Sequence, residues 1–245
     1  MSDSIKSVTV CLSPELIHLY NLPGSVVVVV DILRATSCIV TAIAHGIASI
    51  KPVASLTECN YWRSRGYIGA AERGGQTVEG FELGNSPFTY MDPTLEKRNI
   101  ALTTTNGTEA IMRSKAANQI VIGAFLNFNA LANYLKKLPY DVIIHCAGWN
   151  GKVNMEDTIF AGALVNELKA EFNTENDAAL AALSLFNLSK SNLKEYLSEA
   201  SHYKRLQHLG LQKDIDFCLE YNRYTAIPVL QNDHLVKMGF SEMLF

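Results

Sequence analysis

The chain alternates between short, wholly apolar runs and stretches in which apolar residues recur at helical spacing. β-branched runs without polar alternation fall at residues 26–30, 48–53, 67–71, 100–104, 119–123 and 141–146. Such runs predict strands covered on both faces. Between them, residues 34–45 place Ala35, Cys38, Ile39, Ala42 and Ile43 on one helical face. Residues 106–117 open with Asn106 and carry Glu109 three positions on, the spacing of a capped helix start. Residues 155–169 align Ile159, Ala163, Leu164 and Leu168. From about Asn176 the pattern is helix after helix, and strand signal returns only at 227–230. The alternation predicts an α/β protein with helices packed on a mixed or mostly parallel sheet, followed by a helical C-terminal third.

No linker rich in Pro, Gly or Ser interrupts the chain, so a single α/β domain over residues 1–245 is expected. There is one faint internal echo. "VVVVVDILRATSCIVTAI" and "DVIIHCAGWNGKVNMEDTIFAGAL" both run strand, polar loop, helix. It leaves open a duplication, with lobes at about residues 1–125 and 126–245.

Charge narrows the partners. Lys and Arg number 21 against 24 Asp and Glu, a net charge of −3, so no basic surface advertises nucleic acid or an anionic membrane. No apolar run reaches the ~18 residues of a membrane span. The five cysteines are odd in number and show no C-x-x-C spacing. They read as reduced thiols of a cytoplasmic protein. The opening MSDSIKSVTV lacks the apolar stretch of a secretory signal.

In α/β sheets, ligands bind beyond the carboxyl ends of strands. Four polar stretches follow predicted strands: "DILRATS", "ERGGQTVEGFELGNSP", "TTTNGT" and "CAGWNGKVNMED". They are rich in carboxylates, hydroxyls and glycines and nearly free of histidine. That composition suits Mg²⁺ better than zinc, and a phosphate held by arginine and backbone N–H groups. Asp31 ends the five-valine run, where a carboxylate must be solvated, capped or coordinated. The D-x-D pattern of haloacid-dehalogenase-type phosphatases is absent, because Leu33 stands at its third position. Thr105 and Thr108 would add hydroxyls to free N–H groups at a helix start. A cysteine-phosphatase loop, C-x₅-R, is also absent. Lys152 stands where the arginine belongs, so Cys146 reads as a core residue. Glu156 and Asp157 begin a helix, and adjacent side chains there diverge by about 100°. At most one of the two is therefore expected to face the site, as an oxygen ligand. His18, His45, His202, His208 and His234 fall outside these stretches and read as surface or core residues.

Taken in order, "VDILRATS", "AAERGGQTVEGFELGNSP", "TTTNGTEA", "CAGWNGKVNMEDTIFAGAL", "SHYKRLQHLGLQKDIDFC" and "IPVL" span about residues 25–230. The set resembles the 2-phosphosulfolactate phosphatase family. The resemblance implies a three-layer α/β/α fold and a Mg²⁺-dependent hydrolase of coenzyme M biosynthesis. Such an enzyme converts 2-phospho-3-sulfolactate and water to 3-sulfolactate and phosphate. On this view Asp31, Arg34, Glu72 and Asp157 are catalytic, and Asp31, Glu72, Glu156 and Asp157 are the metal-ligand candidates. Arg73, Asn85, Ser86, Thr105, Asn106, Gly107, Thr108 and Gly148 would bind substrate. The sequence departs from the family pattern at Ala71, at Glu82, and at Asn154 and Met155.

Two alternatives stand beside this reading. One is a Mg²⁺-dependent phosphatase of another small phosphorylated hydroxy acid or sugar acid. The other is a non-catalytic binder of anionic metabolites, which the clustered carboxylates disfavour because they repel an anion. The apolar content permits a homodimer.

Overall fold

Ser25–Val30 (β2) is buried at every position, as a run without alternation requires. A computed structural model, describing residues 6–174 and 176–239, places it inside a ten-stranded sheet. Its neighbours are Asp141–Cys146 (β8) and Gln119–Gly123 (β7), both parallel to it. Val8–Cys11 (β1) lies parallel to the outer side of β8. A second parallel block holds Ser49–Pro52 (β3), Ile68–Arg73 (β4) and Asn99–Thr103 (β6), in the order β3-β6-β4. The strand Gln76–Thr77 (β5) closes that edge, antiparallel to β4.

A hairpin of Pro228–Gln231 (β9) and His234–Lys237 (β10) joins the blocks, with antiparallel pairings to β7 and β3. The two parallel blocks therefore run in opposite senses. Their helices nevertheless meet. Ala35–Ala44 (α1) follows β2 and contacts β7, β9 and β10. Gly107–Arg113 (α3) follows β6 and contacts both β2 and β3. A sheet of this width accumulates twist, and α1 and α3 contact one another on it. A Cβ added at Gly107 would stand only 2.7 Å from that of Ala35.

Leu56–Arg63 (α2) packs on β4 and β6, and Phe128–Lys137 (α4) on Met155–Leu168 (α5). α5 also lies on β1, β2 and β8. The C-terminal third is helical as expected: Asp177–Ser189 (α6), Leu193–Ser198 (α7), Ser201–His208 (α8) and Gln212–Cys218 (α9).

The differences from expectation are local. β1, β5 and β10 are additional strands. β10 had a signal, since Asn232 and Asp233 both take positive φ (48° and 64°), the conformation of a type I′ hairpin turn. α3 stops at Arg113 instead of reaching residue 117. Asn106 does not cap it through its side chain. Thr104 Oγ1 accepts the Thr108 N–H instead (3.2 Å), and Asn106 Oδ1 accepts from the Asn150 N–H (3.0 Å).

α5 and α6 touch at Gly162, where an added Cβ would lie 2.0 Å from the Ala182 carbonyl oxygen. Backbone cannot yield there as a flexible side chain would. Gly162→Ala is expected to destabilise the fold by about 1–3 kcal/mol through overpacking. Chemical denaturation should show the midpoint falling with the slope unchanged.

Candidate active site

The loops after β2, β4, β6 and β8 surround one cavity of about 290 Å³. Its walls include Asp31, Arg34, Glu72, Arg73, Thr105, Trp149, His202 and Arg205. Buried carboxylates fasten these loops to one another. Asp157, on the first turn of α5, is fully buried. Its Oδ1 accepts from the Ile32 N–H (2.8 Å) and its Oδ2 from the Gly148 N–H (3.0 Å). It thus ties the β2 loop to the β8 loop. Glu72, at the end of β4, does the same for the other block. Its Oε1 accepts from the Gly75 N–H (2.5 Å), and its Oε2 from the N–H and hydroxyl of Thr105 (both 3.2 Å).

Asp31 lies between these two fastenings. Thr36 Oγ1 accepts from its backbone N–H (3.0 Å), and its Oδ1 accepts from the Ala35 N–H (3.4 Å). A Cβ at Gly107 would come within 2.9 Å of Asp31 Oδ2, so a side chain there would collide with the carboxylate. Burial pushes the Asp31 carboxyl up to about 6; His202 works against that rise, and Glu72 and Glu156 add to it. Burial, with Asp31 and Glu156 beside it, also raises Asp157 well above the usual carboxylate range.

At most one of Glu156 and Asp157 was expected to face the site, and neither is among the residues lining the cavity. Both are fully buried, and both interact with Asp31. α5 starts under the loops, so its whole first turn is enclosed. Glu156 Oε1 accepts from His202 Nδ1 (2.5 Å) and from Asn154 Nδ2 (3.1 Å). Glu156 Oε2 is buried without a hydrogen-bond partner. Asn154, one of the departures from the family pattern, therefore steadies this carboxylate. Glu82, another departure, pairs with Arg63 and accepts the Gly69 N–H, away from the cavity.

The arginines differ in what they already hold. Arg34 is 3% exposed; it donates through Nη1 to Asp214 Oδ2 (2.5 Å) and through Nη2 to the Gly75 carbonyl (2.6 Å). Arg73 donates to the Glu72 carbonyl and to the carbonyl and hydroxyl oxygens of Thr103. Arg205 donates to the Gly74 carbonyl (3.1 Å) and lies 5.0 Å over the Trp149 ring.

Among the other residues singled out from sequence, Asn85 and Asn106 line the cavity. Ser86 donates to Asp214 Oδ1 (3.0 Å), supporting Arg34 from behind. Thr108 is turned to Thr104, its hydroxyl donating to that carbonyl (3.1 Å). Gly148 takes φ 60° and serves through its N–H. Cys146 is fully buried and burial raises its thiol well above the ordinary range, so it is a core residue. His202, Arg205 and Asp214 were missed, because helices α8 and α9 reach the cavity only through tertiary packing. Their one signal was the segment "SHYKRLQHLGLQKDIDFC" in the resemblance. His202 is buried against the site, stacked on Trp149 with ring centroids 6.0 Å apart.

An α/β sheet carrying a carboxylate-floored, arginine-rimmed cavity at its strand ends defines a protein built to receive a small anion. Residues 11–233 match the family described as 2-phosphosulpholactate phosphatase, and the chain belongs to it. A Thermotoga petrophila protein named "Probable 2-phosphosulfolactate phosphatase" is 40% identical over 213 residues, 87% of this chain and 92% of that one. A Caldanaerobacter subterraneus subsp. tengcongensis protein of the same name is 37% identical over 212 residues, covering 84% and 88%. A Clostridium botulinum (strain Eklund 17B) protein, also so named, is 32% identical over 236 residues, covering 94% and 99%.

The raised Asp31 has a thermodynamic consequence. Its ordinary value is 3.8 and its folded value about 6, so the folded state holds its proton over a wider pH range than the unfolded chain. That contribution is complete below the unfolded value and is lost as pH rises through the folded one. In EDTA, Asp31→Asn is expected to stabilise the protein at pH 8 by about 1–3 kcal/mol, and the gain should shrink at pH 5. Denaturant midpoints at the two pH values measure it. An equal change at both would show that the carboxylate is not held against its charge.

Proposed function

We propose that the protein is a Mg²⁺-dependent phosphatase that hydrolyses 2-phospho-3-sulfolactate to 3-sulfolactate and phosphate, the coenzyme M step the family resemblance implies. One observation carries the reading. Asp31 and His202 line one cavity rimmed by arginines, with Glu156 buried behind His202 and bonded to it, in a chain of this family. The five cysteines are buried and free, which supports a reducing, cytoplasmic setting.

Hydrolysis of a phosphate monoester needs its negative charge offset, an in-line nucleophile and a proton for the departing oxygen. Arg34 and Arg73, with the Thr105 and Gly75 loops held by Glu72, would form the wall facing the phosphoryl group. Asp31 is the group at the phosphorus, as ligand, base or nucleophile. With Nδ1 on Glu156, His202 has its Nε2 edge left for the leaving oxygen, and a proton carried there would pass to it. Asn154 holds Glu156, and Trp149 covers the ring and excludes water.

The donors fit magnesium. Glu156 Oε2 is a hard oxygen, buried and unpartnered, and Asp31 stands in the same acidic cluster. Among the described residues no three His, Cys, Asp or Glu side chains form a complete metal cage. Mg²⁺ does not require one, since it commonly takes one or two carboxylates and fills its octahedron with water and substrate oxygens. Asp31 and Glu156 would hold it, while the oxygens of Glu72 and Asp157 are engaged by the loops. When bound, the ion supplies charge compensation at the phosphoryl oxygens.

Phosphate release from 2-phospho-3-sulfolactate should occur with Mg²⁺ and stop in EDTA. Asp31→Asn should abolish turnover. His202→Asn should lower kcat by about 10²–10⁴-fold, the usual worth of a general acid, with a smaller change in KM. Turnover undiminished in EDTA would remove the metal, and an active Asp31→Asn would remove the central assignment.

A further inference from the structure

The cavity's arginines are not equivalent, and the difference points to how substrate is chosen. The Arg34 charge is matched by Asp214. The guanidinium of Arg73 is spent on Thr103 and the Glu72 carbonyl. Arg205 forms no ion pair among the described residues, and its Nε is buried without a partner. A buried donor left unpaired is costly. A guanidinium is always charged and offers its donors as a rigid planar fork suited to oxyanions.

Position says which anion. Arg205 and His202 stand three residues apart on α8, hence on one helical face about 5–6 Å apart at Cβ. Both rest on Trp149. With the leaving oxygen at His202, Arg205 is placed to meet a group on the neighbouring carbon. Resting on the phosphatase reading above, we propose that Arg205 is the substrate-selecting residue. It binds a second oxyanion, a sulfonate or carboxylate, carried beside the phosphorylated carbon. Trp149 and the Gly74 carbonyl hold its fork in place.

The test compares 2-phospho-3-sulfolactate, 2-phospholactate (no sulfonate), 2-sulfoethyl phosphate (no carboxylate) and ethyl phosphate (neither). Each is assayed with wild type, Arg205→Gln and Arg205→Lys. Arg205→Gln should lower kcat/KM about 10- to 100-fold for substrates carrying the recognised anion, the worth of a hydrogen bond to a charged group. Ethyl phosphate should change less than about twofold, and Arg205→Lys should recover part of the loss. Comparing the two singly substituted substrates tells sulfonate from carboxylate. An equal loss on all four, or none on any, overturns the proposal, the first by placing Arg205 at the phosphoryl group.

A binding measurement separates this failure from failure of the hydrolytic reading. The chain has two tryptophans, so Trp62→Phe leaves Trp149 as the sole reporter. In that background, 3-sulfolactate should quench emission, and Arg205→Gln should weaken its binding at least tenfold. Inorganic phosphate should bind both proteins alike. Arg205-dependent binding of 3-sulfolactate without turnover would sink the phosphatase assignment and keep the second-anion site. Turnover with binding indifferent to Arg205 would do the reverse.

Discussion

The Asp157 carboxylate is the constraint on which the site depends. It is fully buried, yet its two oxygens receive backbone N–H groups from two different strand-end loops. Burying a carboxyl group is costly unless it is hydrogen-bonded, and these N–H groups offset part of that cost, one on each oxygen. In return, the loop that carries Asp31 is pinned to the loop that carries Trp149. Asp157 can do this because α5 begins directly beneath those loops, with Glu156 one residue earlier in the same enclosed turn. The two buried acids behind the site are thus a consequence of where one helix starts, added to Asp31 and Glu72 at the strand ends.

The second block of strands solves the same problem independently. It runs opposite to the first, yet its loops line the same cavity. Glu72 binds the loop after β4 to the loop after β6, as Asp157 does for β2 and β8. The halves then close at Gly107, where the absent side chain lets Asp31 and α1 approach. A glycine is required here for space, not for a left-handed backbone. Two carboxylate fastenings and one close approach convert four separate loops into one cavity.

Sequence carried much of this frame. Residues 119–123 and 141–146 are strands with the expected bounds, because runs of Val and Ile between polar breaks leave little alternative. Asp31, Glu72 and Asp157 were legible because each sits where a strand ends or a helix begins. The role each plays was not. "MED" does not reveal that both acids are buried, since that depends on α5 starting beneath the loops. The Asn106–Glu109 spacing suggested a cap, but Thr104 took that bond and Asn106 reached across to Asn150. His202, Arg205 and Asp214 belong to helices whose periodicity reads as ordinary amphipathic packing. Only the folded chain brings them to Asp31, about 170 or more residues away in sequence.

Charge in the cavity follows from that assembly. Four carboxylates lie in or under its floor, and one arginine has its charge matched by a carboxylate outside this group, Asp214. Crowding of like charges, added to burial, is what lifts Asp31 toward neutrality. Such a floor repels a phosphate dianion until cationic charge is added near it. Arg205 brings a further positive charge from α8, aimed at a second oxyanion, and it lies against the same indole as His202. A substrate with a second oxyanion gains more from Arg205 than a simple phosphate ester does, so selectivity and charge balance come from one side chain. The C-terminal helices therefore complete electrostatically a site whose frame the sheet alone provides.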